Sequence, residues 1–143
     1  MMPMPARFLT SLAVRLQGQL YLFDAGEGCQ INLKKSKLGI KSLRVVAVSH
    51  LHGDHCLGLP GLLMMRAQVE EVGPLAILGP PGIERFIRQI RESLDFFLNY
   101  PLSFIEWNEG GPEVAYEDDL VRILWGPLKH TTLCLGYRLE EHL

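Results

Sequence analysis

The chain has 143 residues, of which 48% are hydrophobic and 21% are charged, with three cysteines and a formal net charge of −2 at pH 7. This length suits one ordinary domain, and the composition excludes a largely disordered chain, a collagen-like chain and a disulfide scaffold. No apolar run approaches the length of about 18 residues that a membrane span needs, and residues 1–5 lack the pattern of a secretory signal, so we expect a cytoplasmic protein without a membrane partner.

Short apolar runs alternate with helical patterns along the first half of the chain. Residues 12–16 and 20–23 flank a glycine-containing turn and predict a β-hairpin. Residues 27–38 form a weakly amphipathic pattern that predicts a helix. The β-branched run at residues 45–48 is typical of a strand that is buried on both faces.

The second half of the chain continues this alternation. Residues 59–69 predict a helix with Pro60 in its first turn, where the missing N–H does no harm, and residues 75–78 predict a short strand. Residues 83–98 predict the clearest helix, because apolar side chains up to Phe97 fall on one face and opposite charges lie four residues apart on the other. Three further strands are predicted at residues 103–107, 120–125 and 134–139. Together these elements predict an α/β layered domain with a partly mixed sheet.

Four potential metal ligands follow the predicted buried strand within one loop, namely His50, His52, Asp54 and His55. Imidazole and carboxylate groups are ligands of first-row metals, and zinc takes both. In an extended loop His50 and His52 point the same way, whereas the adjacent Asp54 and His55 diverge toward a second site. We therefore predict that this loop supplies ligands to two metal ions. The alternative is a cluster of surface histidines that bind no metal.

This His-x-His-x-Asp-His motif after a hydrophobic strand resembles that of the metallo-β-lactamase superfamily. Other segments narrow the resemblance to the ribonuclease Z family of endonucleases that mature tRNA 3′ ends. The stretch Phe-Asp-Ala-Gly-Glu-Gly-Cys-Gln resembles that family's Phe-Asp-Cys-Gly-Glu-Gly-Thr-Gln block, and the Leu-Gly-Leu-Pro-Gly-Leu-Leu stretch after the histidine motif matches the family closely. The similar segments lie at residues 23–30, 49–63, 79–83, 129–130 and 135–138.

The resemblance implies the α/β fold of that superfamily, a metallo-β-lactamase-like αββα sandwich. Residues 1–143 would form a single, partial domain that covers roughly the N-terminal half of the sandwich. The family's opening strand is missing or replaced by residues 1–8, and its last metal-binding segments have no counterpart here. We therefore expect a chain that is truncated at both ends, or a second chain that supplies the missing half-domain.

The resemblance also implies a role for each ligand. His50, His52 and His130 would bind one zinc ion, and Asp54 and His55 would bind a second, with Asp54 also serving as proton acceptor. Two further ligands of the family, an aspartate that bridges both zinc ions and a histidine near the C-terminus, have no counterpart in this sequence. We expect the absence of these two ligands to weaken zinc binding.

The activity that the resemblance implies is that of a zinc-dependent endoribonuclease that removes 3′ trailers from precursor tRNA. The attacking group would be a hydroxide held between two zinc ions, and it would attack phosphorus. An exposed apolar sheet face would favour association, so a homodimer is expected. Two alternatives stay open: another hydrolase of the superfamily, such as a small-molecule phosphodiesterase or an arylsulfatase-like esterase, and a metal-binding fragment that is catalytically incomplete.

Several polar residues outside the motif are weaker candidates. Asp24 and Glu27 lie after a predicted strand and could steady a ligating imidazole, although Asp24 could equally cap the next helix. The basic residues Lys34, Lys35 and Lys37 could contact RNA phosphates. A solvated helix end explains these lysines equally well.

Overall fold

Two β-sheets of the molecule share a hydrophobic core, and the helices cover one of them. The structure is a computed structural model that describes residue 2 and residues 4–143. Residues 1 and 3 lie outside the described part, so the expectations about residues 1–5 and 1–8 fall partly beyond it. No helix in the described part is long and apolar enough to cross a membrane.

The larger sheet has five strands in the order β1-β2-β3-β4-β5. They are β1 (Leu12–Leu16), β2 (Gln19–Phe23), β3 (Leu43–Ala47), β4 (Leu75–Gly79) and β5 (Leu102–Glu106). β1 and β2 form the predicted antiparallel hairpin, and its turn residues Gln17 and Gly18 have positive φ angles of 46° and 83°, as a tight two-residue turn requires. The remaining neighbours pair in parallel, so the carboxyl ends of β2 and β3 lie at the same edge of the sheet.

The smaller sheet is antiparallel and has three strands in sequence order. They are β6 (Val114–Glu117), β7 (Val121–Leu128) and β8 (Cys134–Glu141). The predicted strands at residues 120–125 and 134–139 are confirmed, and both extend further than expected because β7 and β8 pair along their whole length. β6 is not among the predicted strands, since it is short and a register shift between Val114 and Tyr116 interrupts its alternation.

The helices are α1 (Cys29–Lys35), α2 (Gly53–Cys56), α3 (Gly58–Arg66) and α4 (Ile83–Leu94), with a 3-10 turn at Ile40–Ser42. α3 confirms the predicted helix with Pro60 in its first turn. α1 covers only part of residues 27–38, because Gly28 adopts a left-handed φ of 84° in front of it. α4 stops before its predicted end, because Asp95 adopts a left-handed φ of 49°. The prediction that Phe97 lies on the apolar face of this helix is therefore wrong. Phe97 lies beyond the end of the helix and is 81% exposed.

Side chains of the larger sheet alternate between two hydrophobic cores, as the period of two along a strand requires. Val46 of β3 packs in the core that α3 and α4 share with the sheet, which includes Leu59 and Ile83. Its neighbours Val45 and Ala47 point the other way, into the core shared with β6 and β7. β3 is thus buried on both faces as predicted, and the layers stack as helices, larger sheet and smaller sheet.

A carboxylate joins the two sheets at the end opposite the histidine motif. Asp118 follows β6, only 11% of its side chain is exposed, and its Oδ2 accepts hydrogen bonds from Tyr21 of β2 at 2.9 Å and Arg44 of β3 at 3.0 Å. Its Oδ1 accepts two more from the backbone N–H groups of Leu120 and Val121. Burial alone would raise the pKa of Asp118, but these hydrogen bonds stabilise the charged form and lower the pKa to about 2.

Candidate metal centre

Three histidines from two loops meet at one edge of the sandwich. His50 and His52 follow β3, and His130 lies between β7 and β8. One ligand nitrogen of each lies within 4.8 Å of the others, and the ring centroids are 4.6, 4.7 and 5.3 Å apart. His50 is buried, whereas His52 and His130 are exposed. The three imidazoles are therefore close enough to share one metal ion, at a position that solvent can reach.

Contacts between the two sheets bring these loops together. The backbone N–H of Leu135 in β8 donates to the carbonyl oxygen of Ser49 at 2.8 Å. The hydroxyl of Tyr137, also in β8, donates to the carbonyl oxygen of Val48 at 2.8 Å. The start of β8 is thereby held against the segment that follows β3, and this places His130 beside the histidine motif.

Asp24 lies at the end of β2, next to the segment that follows β3. Its φ of 61° falls in the left-handed region, which aspartate tolerates better than most residues. Its Oδ1 accepts the backbone N–H of Ser49 at 2.7 Å, and its Oδ2 lies 2.9 Å from Oγ of Ser49 and 2.8 Å from Nδ1 of His55. The cap residue of α1 is Gly28, without a side-chain hydrogen bond. Asp24 therefore contacts the histidine loop and does not cap the helix.

Backbone hydrogen bonds fix the loop after β2 against α2 and α3. The N–H of Ala25 donates to the carbonyl oxygen of His55 at 2.8 Å, and the N–H of Gly58 donates to the carbonyl oxygen of Ala25 at 2.8 Å. A Cβ atom at Gly58 would overlap the carbonyl oxygen of Gly26. Glycine at this position thus permits the close approach that holds the Asp24 loop against the histidine loop.

Asp54 and His55, the expected ligands of a second ion, lie in α2 beside the three histidines. The rings of His55 and His50 have centroids 4.1 Å apart, and Nε2 of His55 lies 3.7 Å from Oδ2 of Asp54. Neither residue belongs to the group whose ligand atoms lie within 4.8 Å of one another. Asp54 and His55 therefore lie at the rim of the histidine cluster. Among the described residues, 2 and 4–143, they do not form a second group of three ligands.

The charges around the site favour the forms that bind metals. Burial lowers the pKa of His50, and the neighbouring His55, His52 and His130 lower it further. The ring of His50 is therefore neutral at pH 7, the state in which an imidazole nitrogen binds a metal. For Asp54, burial favours the neutral acid but His55 favours the carboxylate, and the pKa is lowered overall.

The other residues predicted for the site lie outside the histidine cluster. Glu27 is exposed in the turn before α1. The exposed lysines lie in the last turn of α1 and just beyond it, at Lys34, Lys35 and Lys37. None of these residues joins the group of three histidines. Contact between the lysines and phosphates stays a prediction, as does the alternative of a solvated helix end.

Two side chains near His50 are not among the sequence-based candidates. The hydroxyl of Ser49 lies 2.9 Å and the sulfur of Cys134 lies 3.8 Å from Nδ1 of His50. A serine before a histidine motif is a weak signal, and Cys134 reaches the site only through the pairing of β7 and β8. Cys56, next to His55 in sequence, is buried, and burial raises the pKa of its thiol to about 11. Its Sγ contacts the carbonyl oxygen of His52 at 3.4 Å, and it does not belong to the group of three histidines.

The sequence matches the family model described as "Anti-Pycsar protein Apyc1" over residues 5–89. The chain belongs to this family. It is also similar to "Ribonuclease Z" of Treponema denticola, with 43% identity over 141 residues that make up 99% of this chain and 45% of that relative. It is 38% identical to "Ribonuclease BN" of Enterobacter sp. (strain 638) over 98% of this chain and 46% of that relative. The chain thus spans a little under half the length of these curated relatives.

Solved structures extend the comparison to the fold. The short form of human tRNase Z superposes with a TM-score of 0.83 and 28% identity, over 97% of this chain and 60% of that one. The metallo-β-lactamase fold protein YhfI from Bacillus subtilis superposes with a TM-score of 0.67 and 19% identity, over 96% and 53% of the two chains, which shows the fold alone. The predicted metallo-β-lactamase-like fold and the resemblance to ribonuclease Z are confirmed. This fold implies a divalent metal, and the three histidines could bind one.

Proposed function

We propose that this chain contributes the metal centre of a zinc-dependent endoribonuclease that removes 3′ trailers from precursor tRNA. The observation that carries the proposal is the convergence of His50, His52 and His130 within 4.8 Å. The convergence occurs in a chain that is similar over nearly its whole length to proteins named ribonuclease Z. An imidazole-rich group of ligands suits zinc.

We propose a division of the ligands between two ions. His50, His52 and His130 would hold one zinc ion, and Asp54 with His55 would contribute to a second. Bound zinc would supply a Lewis acid that stabilises negative charge on the phosphoryl oxygens. Asp54 is a carboxylate at neutral pH, as an aspartate ordinarily is, and we propose that it accepts a proton during hydrolysis.

Residues around the ligands would position them and the substrate. Asp24 contacts Nδ1 of His55 and is the residue that we propose to steady the ligating imidazoles. Glu27 is exposed, and we propose that it supports the ligands only indirectly, through the loop that it shares with Asp24. Lys34 and Lys35, with Lys37 beyond them, would offer positive charge to the phosphates of precursor tRNA.

The assembly that we propose follows from the length of the relatives. Residues 1–143 would form one partial domain, because the curated relatives are more than twice as long as the segment they share with this chain. The described residues bring three histidine ligands into one group, and further ligands would complete a site for two ions. We propose a cytoplasmic homodimer with precursor tRNA as substrate; a second chain that supplies the missing half-domain is the alternative.

A second candidate function is favoured by the family description. The description of the family model differs from the names of the curated relatives. This difference favours another hydrolase of the same superfamily, such as a small-molecule phosphodiesterase or an arylsulfatase-like esterase.

A third candidate is a metal-binding fragment that is catalytically incomplete. The group of only three ligands in the described residues favours it.

Cleavage assays with two substrates separate these candidates. The zinc-loaded chain is incubated with a precursor tRNA that carries a labelled 3′ trailer and, separately, with bis(p-nitrophenyl) phosphate. We expect release of the trailer. In His130→Gln we expect this release to fall by at least about 10-fold, because loss of a ligand should cost no less than loss of a residue that supports one. His142→Gln is the matched control, since His142 is exposed and contacts Glu117 at 3.3 Å, away from the cluster. Hydrolysis of the small ester alone would favour the second candidate, and metal binding without any hydrolysis would favour the third.

A further inference from the structure

The hydroxyl of Ser49 lies between the carboxylate of Asp24 and the ring of His50. Its Oγ is 2.9 Å from Oδ2 of Asp24 and 2.9 Å from Nδ1 of His50. Both distances are those of good hydrogen bonds. We propose that Ser49 is a positioning residue that, together with Asp24, places the proton of His50 on Nδ1 and leaves Nε2 as the nitrogen that binds metal.

The proton inventory of the three groups supports this assignment. An ionised carboxylate only accepts hydrogen bonds, and a serine hydroxyl has a single proton to donate. If Ser49 donates that proton to Asp24, the contact with His50 can be a hydrogen bond only when Nδ1 of His50 carries the proton. A neutral imidazole has one N–H, so Nε2 of His50 then has a free lone pair.

The same carboxylate acts directly on the neighbouring ring. Nδ1 of His55 lies 2.8 Å from Oδ2 of Asp24, and an acceptor at that position again places the ring proton on Nδ1. Asp24 therefore sets the tautomer of His55 through one hydrogen bond and that of His50 through Ser49. One buried side chain thus orients two imidazoles that belong to the two halves of the proposed metal centre.

The position of Ser49 is fixed by its backbone. Its N–H donates to Oδ1 of Asp24 at 2.7 Å, and its carbonyl oxygen accepts the N–H of Leu135 at 2.8 Å. The hydroxyl is therefore held near both partners. A thiol also lies near Nδ1 of His50, but Sγ of Cys134 is 3.8 Å away and is a weaker acceptor than the serine oxygen. Cys134 therefore provides a matched control.

This inference rests on the proposed metal centre but not on the cleavage of RNA, so we test it on the metal-free chain. Correlation spectra of the ¹⁵N-labelled histidine side chains at about pH 8 report which ring nitrogen carries the proton. We expect the proton of His50 on Nδ1 in the unsubstituted chain, in Ser49→Thr and in Cys134→Ala. In Ser49→Ala we expect at least part of the population to carry it on Nε2.

Zinc affinity, measured by competition with a chromogenic chelator, provides the second readout. We expect Ser49→Ala to weaken zinc binding about 10–100-fold, the usual effect of removing a group that orients a ligating histidine. Ser49→Thr and Cys134→Ala should bind zinc as the unsubstituted chain does. A proton on Nε2 of His50 in the unsubstituted chain would overturn the inference, even if Ser49→Ala did not fold. The inference would also be overturned if the tautomer of His50 and the zinc affinity were unchanged in Ser49→Ala. Equal changes of both in Cys134→Ala would overturn it as well.

Discussion

The rings of His50 and His130 have centroids 4.7 Å apart, although the two residues lie in loops that follow strands of different sheets. His50 follows β3 of the larger sheet, and His130 lies between β7 and β8 of the smaller one. The metal centre therefore exists only when the two sheets are docked in the observed register. Contacts that hold the sheets together are consequently part of what maintains the site, even where they lie far from it.

Asp118 is such a contact, and its loss should weaken the fold in a pH-dependent way. Asp118→Asn removes the negative charge that Tyr21 and Arg44 donate to, so we expect the free energy of unfolding at pH 7 to fall by about 2 kcal/mol. The folded-state pKa of about 2 lies below the value of about 3.9 for an unfolded aspartate. The stability that Asp118 contributes is therefore complete above about pH 4 and is lost as the pH falls toward about 2.

Urea unfolding of both proteins between about pH 2 and pH 7 measures this difference. The gap between the unsubstituted chain and Asp118→Asn should narrow as the pH falls below about 4. Asp119→Asn is the control, because Asp119 also contacts Arg44 but 72% of its side chain is exposed. This substitution should lower the free energy of unfolding by less than about 1 kcal/mol. A gap that stays constant over the whole pH range would contradict the assignment.

Gly58 should be irreplaceable for a steric reason. A Cβ atom there would overlap the carbonyl oxygen of Gly26, in the loop that also carries Asp24. We expect Gly58→Ala to lower the free energy of unfolding by about 3 kcal/mol, in the range of overpacked cores. Gly73→Ala is the matched control, because nothing lies within 4 Å of a Cβ atom at Gly73 and its φ is not positive. Thermal melts of the two variants compare them directly, and equal melting temperatures would disprove the close approach.

The three thiols should react at different rates with a disulfide reagent such as DTNB at about pH 8. Burial raises the pKa of Cys29 to about 12 and that of Cys56 to about 11, so neither forms much thiolate while the chain is folded. Burial also raises the pKa of Cys134, but this thiol is only partly buried, so the reagent can reach it. We expect one fast-reacting thiol per folded chain, absent in Cys134→Ala. Two or three fast thiols in the folded chain would contradict the burial of the others.

Local patterns account for the elements that could be predicted from the sequence. The hairpin β1–β2, helix α3 and the histidine loop each depend on residues that are near one another in the chain, such as Gly18 in the turn and Pro60 in the first turn of α3. The resemblance added the sandwich fold, which the comparisons confirm. The helix ends at Gly28 and Asp95 depend on left-handed backbone conformations that the periodicity of the side chains does not reveal.

The rest of the site depends on contacts between distant segments. His130 reaches His50 because β7 and β8 pair in one register and because Tyr137 contacts Val48. Spacing along the chain contains no information about such contacts. Ser49 gains its importance only from its distances to Asp24 and His50. These relationships are visible only when the sheets are assembled.

The most direct test of the metal centre is the zinc content of the purified 143-residue chain, measured by elemental analysis after loading with zinc and desalting. We expect the unsubstituted chain and His142→Gln to retain zinc and His130→Gln to lose it, because three histidines from the loops of two sheets share the ion. Equal zinc retention by His130→Gln and the unsubstituted chain would contradict a shared ion, since the ion would then be held without the contact between the two sheets.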